Sequence, residues 1–106
     1  MQWCRNLFTG ANAKKSKYEI IWKVKHHKYQ HNVYIITLAS NEDNLLDIYP
    51  AYILLQKHYK EADYRVVGIA CGYEEAVETA RHIVEVVYQN TGTFNVREYF
   101  AEKINW

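Results

Sequence analysis

One proline, four glycines and two cysteines are all that the 106 residues hold of the types that most constrain a backbone. So little proline and glycine excludes collagen-like repeats and long disordered linkers. The chain reads as one domain over residues 1–106, with 1–17 as an N-terminal segment or arm and 18–106 as the core. Cys4 and Cys71 form no C-x-x-C pair. Two isolated thiols exclude a disulfide scaffold and point to a reducing compartment. No apolar run approaches the roughly 18 residues of a membrane span. The opening MQWCRNLFTG carries one charge and no apolar stretch of signal-peptide length. A cytoplasmic protein without membrane contact is expected.

What the chain holds in plenty is tyrosine, ten in all. Tyrosine offers a large apolar ring with a polar tip, suited to the edge of a core or to an interface. Charge is nearly balanced but unevenly placed. Residues 1–31 carry seven Lys/Arg against one Glu, a balance of +6, and the rest carry six against eleven acids, or −5. Either the basic third folds against the acidic body or it faces an anionic partner.

The chain is organised around residues 64–92. Val66, Val67 and Ile69 make a short apolar, β-branched run that suits a strand covered on both faces. Gly68 within it allows a close approach by a neighbour. Gly72 breaks the run, and Tyr73 opens a long helix with Glu74, Glu75 and Glu78 near its positive end. Ala76, Val77, Ala80, Ile83, Val84, Val87 and Tyr88 form one wide apolar stripe. Asn90-Thr91-Gly92 supplies the stop.

Elsewhere, Tyr18, Ile20, Trp22 and Val24 fall on one face and Glu19, Lys23 and Lys25, with Ile21, on the other, which predicts a half-buried strand over 18–26. Residues 33–39 are apolar almost throughout and predict a central strand, joined to the first as a hairpin. Residues 10–17 read as a loop or arm. Ser40 and Asp43 stand at capping-box spacing, so a short helical turn over 44–49 and a helix over about 50–59 are expected, with Pro50 at its first position. Asn95 and Glu98 repeat the capping signature before a short last helix, and 102–106 are expected to fray. The expected class is α/β (α+β): two layers in the order β-β-α-β-α-α, a three-stranded mixed sheet with helices on one face. The connection between the second and third strands should be a right-handed crossover, making them parallel.

Four patterns bear on chemistry. Cys71, at a strand end ahead of a helix N-terminus, is the weak candidate for a nucleophile. Its only near histidine, His82, lies down the helix by roughly 15 Å, and Glu74 and Glu75 oppose a thiolate. His26, His27 and His31 form HHxxxH, but adjacent strand histidines point apart, so no metal site is assigned. Gly68 and Gly72 form G-x-x-x-G without the Lys-Ser/Thr of a phosphate loop. Lys14, Lys15, Lys17, Lys23, Lys25 and Lys28, interleaved with Tyr18, Trp22 and Tyr29, suit a nucleic-acid platform. Lysines protecting a solvated edge strand explain the same pattern. No cofactor is implied.

Val67-Gly68-Ile69-Ala70, Gly72-Tyr73, Ala76, Thr91-Gly92, Phe94, Val96-Arg97 and Tyr99-Phe100, with the Cys4 region and Asn44-Leu45-Leu46, resemble a family of short uncharacterised bacterial proteins. The resemblance implies a small stand-alone bacterial protein and carries over no catalytic residue.

In residues 33–39 both alternating sets are apolar, while helices on one side cover a single face. An open apolar face predicts a partner. The first expectation is a non-enzymatic protein that associates with another protein, itself first as a homodimer, through Val33, Tyr34, Ile35, Ile36 and Leu38. The alternative is a nucleic-acid accessory protein using the basic third; a cysteine-dependent enzyme comes third.

Overall fold

The computed structural model describes residues 1–41, 43–56 and 64–103. A four-stranded mixed sheet is built from β1 (Gln2–Thr9), β2 (Val33–Leu38), β3 (Leu46–Pro50) and β4 (Arg65–Cys71). The spatial order is β1-β4-β2-β3, with β1 parallel to β4 and the other neighbours antiparallel. Among the described residues three α-helices accompany it: α1 (Lys17–Lys25), α2 (Tyr73–Thr91) and α3 (Val96–Lys103). Short 3-10 turns cover Ala13–Ser16 and Ala51–Leu55. The α+β class holds, with four strands in place of three.

The centre forms as expected. β4 is buried along most of its length, and Gly72 at φ 91° turns the chain into α2. Gly92, left-handed at φ 75°, ends that helix with its amide on the Tyr88 carbonyl. A bulge in β4 explains Gly68. Ile36 pairs with Gly68 but Thr37 with Val66, so Val67 is the extra residue. A Cβ on Gly68 would stand 3.2 Å from Ile36 Cδ1 and 3.3 Å from Ile83 Cδ1, both in the core under α2. The Asn95 side chain caps α3 by accepting from the Glu98 amide (3.1 Å) and donating to Glu98 Oε2 (3.0 Å).

Several expectations fall. Residues 18–26 are helical, since Ile20 and Val24 are buried one turn apart and Ile21 packs beside them. Tyr18 and Trp22, half of the apparent alternation, point outward. The hairpin therefore joins β2 to β3. Residues 44–49 hold no helix: the Asn41 side chain accepts from the amides of Asp43 and Asn44, and this Asx turn leads into β3. Pro50 ends that edge strand, and a 3-10 turn follows; the rest of the helix expected to residue 59 lies outside the described residues, as do most of 102–106. The strand Val33–Leu38 runs antiparallel to β4, so there is no crossover of the expected kind. Finally, Gln2–Thr9 is a strand. Between Trp3 and Phe8 its partner advances only from Val66 to Gly68, and this irregularity removes the period-two signal.

The last correction decides the second face. Ala13, Ile20, Val24, Ala51 and Leu54 pack on Val33, Ile35, Val66 and Ile69 on one side of the sheet. On the other, Ile83, Val87, Val96 and Phe100 pack on Cys4, Ile36 and Val67. Helices lie on both faces, not one.

Candidate functional site

Because α1 is a helix, its outer surface differs from that of the expected strand. In a strand Trp22 and the lysines at 23 and 25 face apart; in a helix residues three and four apart are neighbours. Lys14, Tyr18, Trp22 and His26 follow one another at intervals of four, Lys14 from the 3-10 turn that leads into α1. Lys15 stands three residues before Tyr18, and Lys25 three after Trp22. Tyr18 is 81% exposed and Trp22 52%. Trp22 stacks on His26, with ring centroids 4.1 Å apart and planes inclined by 21°. His26 Nδ1 also lies 2.8 Å from the Trp22 carbonyl, which fixes the ring over the helix end. Lys17 Nζ sits 5.6 Å from the Tyr18 ring centre. Beyond the helix, Tyr29 is exposed and approaches Tyr52 at 6.3 Å. Buried Gln30 pins this loop back on α1 by donating to the Ile20 carbonyl (3.2 Å).

The six lysines of the basic third lie on the 3-10 turn, on α1 or just after it, but are not equally free. Lys23 pairs with Glu19 at 2.9 Å within the helix. Lys14, Lys15, Lys17, Lys25 and Lys28 have no carboxylate partner among the described residues. Two acids of α2 pair within it, Glu78 with Arg81 (2.6 Å) and Glu85 with Arg81 (3.7 Å). No described ion pair joins the basic third to the acidic body, so charge there is left for solvent or a partner.

One acid does bridge the two regions. Glu75 accepts from the amides of Cys71 (2.6 Å), Asn12 (2.8 Å) and Ala13 (3.3 Å). Burial alone would raise its pKa, but these amides outweigh burial and hold the carboxyl below the ordinary glutamate range. The only signal for this role was its place in the first turn of α2.

The other candidates do not converge. Burial first, and Glu75 second, push the Cys71 thiol above its ordinary value. Cys71 packs on the α1 side of the sheet, whereas His82 lies against Phe8 on the α2 side, with ring centres 5.9 Å apart. Cys4 is buried and its thiol is likewise raised by burial. Gly68 and Gly72 serve the bulge and the helix start. His26, His27 and His31 stay at the surface, and no three His, Cys, Asp or Glu among the described residues gather around a metal position; His58 lies outside them. Val33, Ile35 and Ile36 are core residues, Tyr34 and Leu38 are half-buried, and the face expected to stay open is closed by α1. No described helix is long and apolar enough to cross a membrane.

No family model, curated protein or solved structure matches the chain, so function rests on this geometry.

Proposed function

We propose that the chain is a non-catalytic binding protein that takes single-stranded nucleic acid along the exposed side of α1. The supporting observation is the exposed run Tyr18, Trp22 and His26 along α1, with Lys14, Lys15, Lys17 and Lys25 near it in the chain and without a carboxylate partner among the described residues. Lysines take phosphates, and flat rings take bases of any sequence. The exposed apolar groups here are aromatic, without the exposed aliphatic side chains of a helix that lies in a bilayer surface.

Fluorescence anisotropy of a labelled 12-nucleotide strand, and of the duplex of the same sequence, tests the reading. Binding should favour the single strand. Its affinity should fall with salt at a log–log slope of about −3, the value for roughly four neutralised phosphates. Lys14→Ala/Lys15→Ala/Lys17→Ala should flatten that slope. No binding of either probe at low salt refutes the proposal.

Self-association is the second reading, now on another surface. Tyr73, Val77, Val84 and Tyr88 fall within about 60° of one another around α2, and Tyr73, Val77 and Tyr88 are exposed. They flank the edge strand β3, whose Leu46 and Ile48 are half-buried. A second copy related by a two-fold axis would cover this row. Sedimentation equilibrium at micromolar concentration distinguishes a dimer from a 12.6 kDa monomer.

A further inference from the structure

Where α1 ends, a pocket of about 450 Å³ opens between the helix and the start of β1, lined by Met1, Trp3, Val24, Lys25, His27 and Leu54. That volume lies in the range of sites that hold a small ligand. Val24 and Leu54 belong to the core, the half-buried indole of Trp3 contributes a flat wall, and the polar groups stand beside them. Lys25 Nζ lies 5.7 Å from the Trp3 ring centre.

The backbone at this pocket is unusual. His27 sits in the left-handed region at φ 55°, where a side chain is disfavoured and glycine is the common choice. The turn itself needs only the conformation: the Lys28 amide donates to the Lys23 carbonyl (2.9 Å) and the His27 amide to that of Val24 (3.2 Å). Glycine would make both bonds without strain. An imidazole kept at a strained position on a pocket wall is an outlier of the kind that marks binding sites.

We propose that this pocket takes one unpaired nucleotide of the strand bound along α1, its base on the Trp3 indole and its phosphate held by Lys25 and His27. The inference rests on the reading of α1 as a strand-binding surface and adds a reason for preferring single strands, since a paired base must first leave its stack. Lys25 is suited to both states. In the free protein its ammonium covers the ring, and its flexible stem lets it move to a phosphate when a base takes the ring face. Trp22, three residues before Lys25, continues the same path along the helix.

The test uses adenosine 5′-monophosphate and an eight-nucleotide single strand with the full chain. Of its three tryptophans, Trp22 and Trp106 are replaced by Phe so that Trp3 alone reports. The mononucleotide should quench Trp3 saturably, and ribose 5-phosphate should not. Lys25→Gln/His27→Gly should weaken both the mononucleotide and the strand about tenfold, the loss of roughly one charge-assisted phosphate contact. His27→Gly relieves the left-handed strain, so the fold should survive, as circular dichroism will confirm. Lys14→Gln/Lys15→Gln should weaken the strand and spare the mononucleotide. If the strand binds normally without Trp3 quenching, the pocket inference is overturned and the reading of α1 stands. If the mononucleotide binds and the chain with Trp22 intact does not bind the strand, the occupant is a free nucleotide and both are overturned. Binding only to anionic phosphatidylglycerol vesicles overturns both as well.

Discussion

The backbone amide of Cys71, the last residue of β4, donates across 2.6 Å to the carboxylate of Glu75 four residues further on. The same carboxylate holds the amides of Asn12 and Ala13, and it fills the space that a Cβ on Gly10 would take. An acid in the first turn of α2 thus ties the entry to α1 onto the centre of the sheet.

Glu75→Ala should cost about 1 kcal/mol at neutral pH, the low end for charged hydrogen bonds because the residue is half exposed. The sign with pH follows from the lowered carboxyl pKa. Stability from a depressed carboxylate is complete above its unfolded value of about 4.3 and is lost as pH falls through the folded one. Urea unfolding of the two proteins should therefore differ at pH 7, and the difference should shrink as pH falls below the unfolded carboxyl value. Gly10→Ala should displace the carboxylate and destabilise the native chain, with less effect in the Glu75→Ala background. Additive losses would separate Gly10 from this contact.

Gly68→Ala places a methyl against Ile36, Ile83 and the Phe8 carbonyl, all within 3.3 Å of the new Cβ. Overpacking of this kind costs about 1–3 kcal/mol. Thermal unfolding should show a lower midpoint, and an unchanged midpoint would mean that α2 is free to move away from the bulge.

Thr37 makes the opposite prediction. It is 1% exposed on β2, and its hydroxyl has no hydrogen-bond partner among the described residues. Thr37→Val keeps the β-branched shape and removes an unpaired buried polar group, which should stabilise the protein by about 1 kcal/mol. A loss of stability in urea titration would reveal a partner for that hydroxyl.

Cys71 should be alkylated by iodoacetamide more slowly than a free thiol at neutral pH. Burial and Glu75 both oppose the thiolate, which is the reactive form. The measurement is made on Cys4→Ala protein, so that one thiol reports. Labelling faster than a free thiol would restore a nucleophile at the head of α2.

What the sequence determined by itself were the elements whose signals are local. Residues 65–71 and 73–91 carry their own punctuation, with Gly72 and Gly92 at positive φ and a wide apolar stripe between them. Asn95 and Glu98 state the start of α3 in two side chains. The alternation of Val33 and Ile35 against Ile36 and Leu38 matches the two cores on opposite sides of β2.

Only the tertiary structure decided residues 18–26, because their pattern satisfies two periods at once. Residues 18, 20, 22 and 24 read as a strand, whereas 20, 21 and 24 read as a helix face. The choice falls to the helix because the sheet is already supplied. The irregular β1 takes one edge beside β4, β3 takes the other beside β2, and the face over Val33, Ile35, Val66 and Ile69 needs a cover. Burying Ile20 and Val24 there turns Tyr18 and Trp22 outward among the lysines. The candidate site is a consequence of that choice, made by long-range packing that no local pattern encodes.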